Sequence, residues 1–266
     1  MLGAIFKPLW NYRGFIMSSV KREFQSKYLN SMLGVAWVVL NPLAMIVVYT
    51  VVFSQVMRAK LPGVDSTFAY SIYLCAGVLS WGLFAEIVSR AQNIFIEHAN
   101  LMKKLSFPRM SLPVIVTLNA GINFTIISTL YILFLIFVGN FPGWVIFGVV
   151  PVLIIQVAFS IGLGIVLGVL NVFFRDVGQF FGIVITFWFW LTPIVYPSSI
   201  LPERVRSLLM DFNPMAPLIA AYQRIFVTEH WPDWSTLLIP AIIASVLCVL
   251  GLRLFRKRAG EMVDEL

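Results

Sequence analysis

Five long stretches without a single charged residue constrain this chain more than any other feature. They cover residues 28–57, 66–85, 110–174, 177–202 and 234–252. A helix needs roughly 18–20 apolar residues to span a hydrocarbon core of about 30 Å, and each stretch reaches that length. The third runs for 65 residues around a Gly-Asn-Phe-Pro-Gly turn at 139–143, so it predicts two crossings. With 60% hydrophobic and 12% charged residues, the chain exceeds what one soluble core can bury.

These runs predict an all-α membrane protein that forms a single membrane domain over residues 1–266. Six transmembrane helices are expected, over about 32–57, 68–89, 110–138, 144–174, 177–196 and 235–255. Pro193 and Pro197 break the fifth of them. The region that follows, 197–233, is too polar to span and too apolar to be disordered, so it predicts a re-entrant helical hairpin on the outer side.

A basic amphipathic segment, about 12–30, precedes the first span. Ile16, Val20 and Phe24 recur every four residues, with Met17 and Tyr28 on the same arc, which predicts an interfacial helix. A plain membrane-proximal anchor is the simpler alternative. The basic residues of the segment are Arg13, Lys21, Arg22 and Lys27.

The distribution of basic residues predicts that both termini lie in the cytoplasm. With six alternating spans, the outer segments hold only five of the 19 Lys and Arg residues, which fits the positive-inside rule. The net charge of +7 is then topological, and no nucleic-acid partner is expected. The five outer residues are Arg58, Lys60, Arg204, Arg206 and Arg224.

Several polar and small residues inside the spans predict specific contacts. Glu86 and Arg90 are four residues apart on one helix, which favours an ion pair. Uncharged polar groups in lipid need partners, so those of the third span should face other helices or a polar path: Asn119, Asn123, Thr125, Ser128 and Thr129. In the fourth span, small residues at four-residue spacing predict a close packing face: Ser160, Gly164 and Gly168.

The motifs of several chemistries are missing from the sequence. No glycine-rich phosphate loop ending in Lys-Ser or Lys-Thr occurs, so ATP hydrolysis by this chain is not expected. His98 and His230 are predicted on opposite sides of the membrane, and Cys75 and Cys248 lie in apolar runs. We therefore expect no metal site, no cofactor and no catalytic residue. A membrane-embedded glycosyltransferase or polymerase is disfavoured on the same grounds, whereas a structural scaffold stays open.

A series of short motifs follows the basic segment in a fixed order along the chain. The motifs are Leu33-Gly34, Trp37, Asn41-Pro42, Lys104, Phe107-Pro108-Arg109, Asn171, Phe174-Arg175-Asp176-Val177, Thr192-Pro193-Ile194, Tyr196-Pro197, Asn213-Pro214 and Arg224. This ordered series resembles the membrane subunit (permease) of type-2 ABC exporters for polysaccharides, and is most similar to the permeases of O-antigen (lipopolysaccharide) export. The resemblance covers about residues 17–255. Capsule and teichoic-acid permeases, and other lipid or drug exporters of the superfamily, are the alternatives.

The resemblance implies a homodimer in the bacterial inner membrane, with each copy docked on a separate ATP-binding subunit that carries ATP and Mg²⁺. The implied substrate is a polysaccharide on undecaprenyl diphosphate, whose diphosphate would meet the four basic residues of the interfacial helix. Sugars stack their apolar C–H faces on aromatic rings, although packing is the alternative role for each ring. The rings that would line the sugar path are Tyr49, Tyr73, Phe84, Trp188, Trp190 and Tyr196.

Two further roles follow from the resemblance. The segment 91–109 would couple to the ATP-binding subunit through Phe95, Leu101, Lys104 and Leu105. The hairpin 197–233 would gate the outer exit of the path.

Overall fold

A computed structural model describes residues 10–26, 33–56, 61, 66–104 and 108–265. The regular elements of these residues are helices, which confirms the all-α prediction. A π turn, Val51–Val56, continues α2, and a 3₁₀ turn, Gly143–Gly148, leads into α7. The α-helices are α1 Arg13–Ser26, α2 Trp37–Thr50, α3 Ala69–Ala91, α4 Ile94–Glu97, α5 Ala99–Lys104, α6 Ser111–Val138, α7 Val149–Phe173, α8 Asp176–Leu191, α9 Glu203–Phe212, α10 Met215–Thr228, α11 Leu238–Arg258 and α12 Glu261–Glu265.

Five helical segments of the described chain are long and apolar enough to cross a membrane. They are Trp37–Ser54, Ala69–Ala91, Ser111–Val138, Gly143–Phe173 and Leu238–Arg258. The helix predicted over 177–196 is shorter than expected, because α8 ends at Leu191 after 16 residues. At 1.5 Å per residue α8 is about 24 Å long. The residue that follows it, Thr192, is extended (φ −99°, ψ 134°), the conformation that a residue before proline prefers.

Helix α3 forms the centre of the bundle, packed against α6, α7 and α10, while α7 also packs along α11. The small residues of α7 allow its backbone to lie close to α3 on one side and to α11 on the other. A Cβ atom on Gly164 would lie 2.6 Å from the Cβ of Ala91 on α3, and one on Gly162 would lie 2.7 Å from the backbone nitrogen of Cys248 on α11. The predicted small-residue packing face is thus confirmed, and it serves two neighbouring helices.

The bundle has two chemically distinct ends. At the end we call the basic end, α4 packs on the last turns of α11 through Phe95 and Phe255, whose rings stack at 5.5 Å. The Arg109 guanidinium before α6 donates to the carbonyl oxygen of Ala259 there. At the opposite end, the proline end, residues 192–197 cross the ends of α3 and α10, and we call these six residues the strap.

The region predicted as a hairpin, 197–233, consists of two helices that differ in burial. Helix α10 is largely buried against α3 and α7. Helix α9 has no buried residue, and its apolar positions Val205, Leu208 and Phe212 are exposed. Only α10 therefore belongs to the core of the protomer.

Candidate functional site

Helix α1 lies against α6 at the basic end. Its apolar residues Ile16 and Val20 are buried there with Ile115 of α6. Met17, which the sequence pattern places on the same arc, is 62% exposed. The buried part of the helix thus rests on protein, and Met17 points away from that contact.

An ion-pair network joins α1, α3 and α6 next to this contact. Arg90 at the end of α3 pairs with Glu23 of α1, and its guanidinium lies 3.5 Å from Glu86, which confirms the predicted Glu86–Arg90 pair. From α6, the Asn119 amide donates to Glu23 and the Asn123 amide donates to Glu86 at 2.8 Å. We call these five residues the ion-pair network. Asn119 and Asn123 find their partners on other helices, as expected for amides within a span.

Sequence reasoning missed the role of Glu23. It is the only acidic residue between 13 and 26, on a segment otherwise judged by its basic residues. A lone carboxylate in a basic segment is a usable signal, because it can form ion pairs with cations of its own helix or of a neighbouring one. Which cation it meets depends on how α1 packs.

Two of the remaining polar residues of the third span differ from the prediction, whereas Ser128 faces other helices as expected. Thr125 and Thr129 donate to carbonyl oxygens of their own helix, those of Gly121 and Thr125. A hydroxyl can satisfy itself in this way because the carbonyl four residues back lies within reach. Ser128 lines a small internal cavity of about 80 Å³ beside Tyr222.

A cavity of about 490 Å³ lies between α1, the end of α3, the α4–α5 segment and α6. Part of its lining is charged or polar, and the rest is apolar. The polar residues are Ser19, Arg22, Glu23, Ser26, Arg90, Glu97 and His98; the apolar ones are Phe15, Ile94, Leu101, Leu112 and Ile115. This combination suits an amphiphile better than a purely polar solute.

Of the three described basic residues that were assigned to a diphosphate, the structure brings one to the cavity. Arg22 lines it and also donates to the Ser19 hydroxyl. Arg13 donates to the carbonyl oxygen of Trp10 and lies over its ring at 5.4 Å. Lys21 is exposed, and Lys27 lies outside the described residues.

The two described side chains that were assigned to coupling have different surroundings. Phe95 is fully buried against Phe255, and Leu101 lines the cavity described above. Lys104 ends α5, and Leu105 lies outside the described residues. The exposed side chains of α4 and α5 follow instead a three-residue spacing: Glu97, Asn100 and Lys103.

Asn171, at the end of α7, ties the start of the α4–α5 segment to α8. Its amide donates to the carbonyl oxygen of Gln92 and to the side-chain oxygen of Asn93, both at 3.0 Å. Its own side-chain oxygen accepts the backbone N–H of Gly178 at 2.8 Å. Asn171 is 2% exposed, so residues 92–93 and α8 are joined by a buried side chain that bonds to both.

The six aromatic residues assigned to a sugar path do not share one surface. Phe84 is fully buried and Tyr73 is 8% exposed. Trp188 packs edge-on against Phe84 with ring centroids 5.2 Å apart. Trp190 is 60% exposed, while Tyr49 and Tyr196 are half-buried.

The strap receives hydrogen bonds from side chains of α3 and α10. The Tyr73 hydroxyl lies 3.0 Å from the carbonyl oxygens of Pro193 and Tyr196, and the Gln223 amide donates to Pro193 at 3.2 Å. Tyr70 donates to the carbonyl oxygen of Val195. Irregular backbone at membrane depth needs such protein partners, because lipid offers none.

Asn213 closes the strap from the other side. The Trp188 indole N–H donates to its side-chain oxygen at 2.7 Å, as does the backbone N–H of Met215 at 3.0 Å. The Asn213 amide donates to the Thr192 hydroxyl at 2.9 Å. The following residue, Pro214, precedes the first turn of α10. Trp188 is therefore anchored by a side chain that also holds the strap.

Most of the other motif residues lie at helix boundaries, and Pro42 is the exception among those described. Trp37 begins α2 and is exposed, and Pro42 lies within that helix. Pro108 accepts the backbone N–H of residue 111 at the start of α6. Arg175 and Asp176 lie at the start of α8, where a negative side chain is favoured by the helix dipole.

This chain is similar to known membrane transport proteins over most of its length. A family model described as "ABC-2 type transporter" matches residues 15–227, which include most of α1 and the whole strap. An O-antigen export system permease of Myxococcus xanthus is 31% identical over 263 residues, 98% of this chain and 99% of the relative. One of Klebsiella pneumoniae is 33% identical over 240 residues, 89% and 88% of the two chains. A polysialic acid transport protein of Escherichia coli is 20% identical over 248 residues, 91% and 92% of the two chains.

Proposed function

Because this chain belongs to the ABC-2 type transporter family, we propose that it is the permease of an ATP-driven exporter of O-antigen polysaccharide. The observation that carries the proposal is the near full-length similarity, at 30–33% identity, to three permeases named for O-antigen export. ATP hydrolysis belongs to a separate ATP-binding subunit with bound Mg²⁺, two copies of which serve a homodimer of this chain.

The protein crosses the bacterial inner membrane six times, with both termini in the cytoplasm. Helix α8 and the strap together make the fifth crossing in chain order. The strap can lie within the membrane because Tyr73, Gln223 and Asn213 give it the hydrogen-bond partners that lipid does not offer. The basic end faces the cytoplasm by the positive-inside rule. Helix α1 then lies at the cytoplasmic interface, and α9 and α10 form the outer, re-entrant gate.

The substrate is a polysaccharide linked to undecaprenyl diphosphate. The cavity beside α1 supports this assignment, because it joins the guanidinium groups of Arg22 and Arg90 to an apolar wall from α6. A lipid diphosphate has the matching combination of an anionic head and an apolar tail. Arg13 and Lys21 on α1 raise the positive charge around the entrance.

The sugar chain passes between the two copies of the homodimer. Six helices of one protomer leave little room for a sugar-wide channel. Trp190, which is exposed on α8, and the half-buried Tyr49 and Tyr196 are the rings that a passing sugar can reach. Tyr73, Phe84 and Trp188 support those rings from the interior.

The α4–α5 segment receives the motion of the ATP-binding subunit. Its exposed residues Glu97, Asn100 and Lys103 form the contact face, and Phe95 and Leu101 anchor the segment from inside. Asn171 carries a displacement onward to α8.

Deletion of the gene in its native host tests the proposed function. O-antigen should disappear from the cell surface and accumulate inside the cell, and a plasmid copy should restore surface O-antigen. Surface staining and a lipopolysaccharide gel measure the two pools. Unchanged surface O-antigen would overturn the proposal. Loss of capsule with intact O-antigen would instead favour capsule export, the activity for which the Escherichia coli relative is named.

A further inference from the structure

We propose that Arg22 and Arg90 form a concealed binding site for a phosphate or diphosphate group, and that Glu23 occupies it in the state described here. The inference rests on the proposed function, in which the substrate carries such a group. The carboxylate of Glu23 pairs with Arg90 inside the cavity. Glu23 thus acts as an internal substitute for the anion and as a latch on α1.

The two halves of α1 are held in different ways. The first half is anchored by burial of Ile16 and Val20 against α6, which are 6% and 4% exposed. The second half contributes Arg22, Glu23 and Ser26 to the cavity, and there the ion pair links it to α3. Release of Glu23 would therefore free the second half of the helix while the first half stays in place.

The charge balance of the cavity explains why the latch must open before an anion enters. Among the residues that line the cavity, Arg22 and Arg90 are opposed by Glu23 and Glu97, and Glu86 adds a third carboxylate next to Arg90. Release of Glu23 therefore removes one of the three carboxylates that compete with an incoming anion for the two guanidinium groups. Guanidinium groups bind phosphate oxygens in a bidentate manner, and a diphosphate carries more charge than a single carboxylate.

The exposure of the pair makes this exchange feasible. The side chains of Arg90 and Glu23 are 30% and 40% exposed, and ion pairs with that much solvent contact are weak. Arg90 also keeps Glu86, which lies 3.5 Å away on its own helix, so its side chain stays oriented when Glu23 leaves. An incoming phosphate can therefore replace Glu23 without a new arrangement of α3.

A binding measurement with matched variants tests the latch. The full complex with its ATP-binding subunit is placed in lipid nanodiscs. One sample is titrated with inorganic pyrophosphate, and another with a polyprenyl diphosphate that is supplied in separate nanodiscs. Glu23→Gln keeps the shape and an acceptor for Asn119 but removes the competing charge, so Kd should fall about fivefold. Asp264→Asn removes the same charge from an exposed position of α12, at the basic end but outside the cavity, and it should change Kd by less than about twofold.

Arg90→Lys on the Glu23→Gln background completes the test. It keeps the positive charge but loses the bidentate geometry, so most of the gain from Glu23→Gln should disappear. Equal effects of Asp264→Asn and Glu23→Gln would overturn the proposal, since they would indicate only a general electrostatic effect. Unchanged affinity in Glu23→Gln would overturn it as well.

The ligand arms separate this inference from the proposed function. Tighter binding of both ligands by Glu23→Gln supports a phosphate site that accepts the lipid head. A gain for pyrophosphate alone supports the same site with a soluble phosphate as its ligand. If deletion of the gene abolishes O-antigen export but Glu23→Gln binds neither ligand more tightly, the latch is wrong and the proposed function stands.

Discussion

The two ends of the bundle are held together by polar networks of opposite character. At the basic end, Glu23, Glu86 and Arg90 are charged, and their side chains are 28–40% exposed. At the proline end, the strap is held by neutral groups that are almost fully buried, with Asn213 7% exposed and Thr192 fully buried. Both networks join helices that are distant in sequence.

This difference predicts that one network mainly stabilises the fold and that the other can exchange its partners. A buried neutral group that loses its partner keeps the full cost of its desolvation, so the strap network should be important for stability. A half-exposed charge that loses its partner is rescued by water, so the ion-pair network can exchange partners at low cost. The proline end is therefore the rigid part of the protomer, and the basic end is the part that responds to ligands.

Asn213→Leu should cause the largest loss of stability, because Asn213 makes several of the hydrogen bonds that hold the strap. The substitution removes the acceptor of Trp188 and Met215 and the donor to Thr192, so the free energy of unfolding should fall by about 3 kcal/mol. The midpoint of thermal unfolding in detergent measures the loss. Asn100→Leu, at an exposed position of the basic end, is the matched control. Equal effects of the two variants would contradict the proposed rigidity of the strap.

Tyr73→Phe should have a smaller effect of the same kind. It removes one hydroxyl that serves the carbonyl oxygens of Pro193 and Tyr196, which should cost about 1–2 kcal/mol of unfolding free energy. Tyr12→Phe, at a residue that is 40% exposed, should leave the unfolding midpoint unchanged. The same unfolding measurement in detergent applies. If Tyr73→Phe lowers the unfolding midpoint no more than the control does, the strap does not depend on this hydroxyl.

Arg90→Met should change the mobility of α1 more than the stability of the protein. Loss of the cation should cost about 1 kcal/mol or less in unfolding free energy, because water solvates the half-exposed carboxylates. Amide hydrogen exchange in the second half of α1 should accelerate, while exchange in α3 stays slow. Arg253→Met, at an exposed position of α11, is the control. Unchanged exchange in α1 would mean that the ion pair does not hold the helix.

Salt should produce the smallest effect and should separate the two networks. Raising the ionic strength from about 0.01 M to about 1 M shortens the screening length from about 30 Å to about 3 Å. Hydrogen exchange in residues 19–26 should rise by a few fold, because the ion pair that holds this half is screened. Exchange in the strap should not change, since its contacts are neutral. A salt response of equal size at both ends would contradict the distinction.

Much of the fold follows from local sequence, because helix geometry fixes what neighbours can do. Runs of apolar residues predicted the helices that are long and apolar enough to cross a membrane, and Pro193 marked the end of α8. The Glu86–Arg90 pair was predictable since residues four apart face each other on a helix. The four-residue spacing of Gly164 and Gly168 gave the packing face of α7 for the same reason.

The candidate site depended on tertiary structure, because its contacts join residues far apart in the chain. Asn119 lies 96 positions from Glu23, and Tyr73 lies 120 positions from Pro193. The sequence marked Asn119 as a side chain in need of a partner, but it could not identify Glu23 as that partner. Residue type likewise showed that the aromatic side chains were abundant without showing which were exposed. Sequence thus determined the helices and their charges, whereas packing decided which polar groups meet, since such pairs form only after the helices dock.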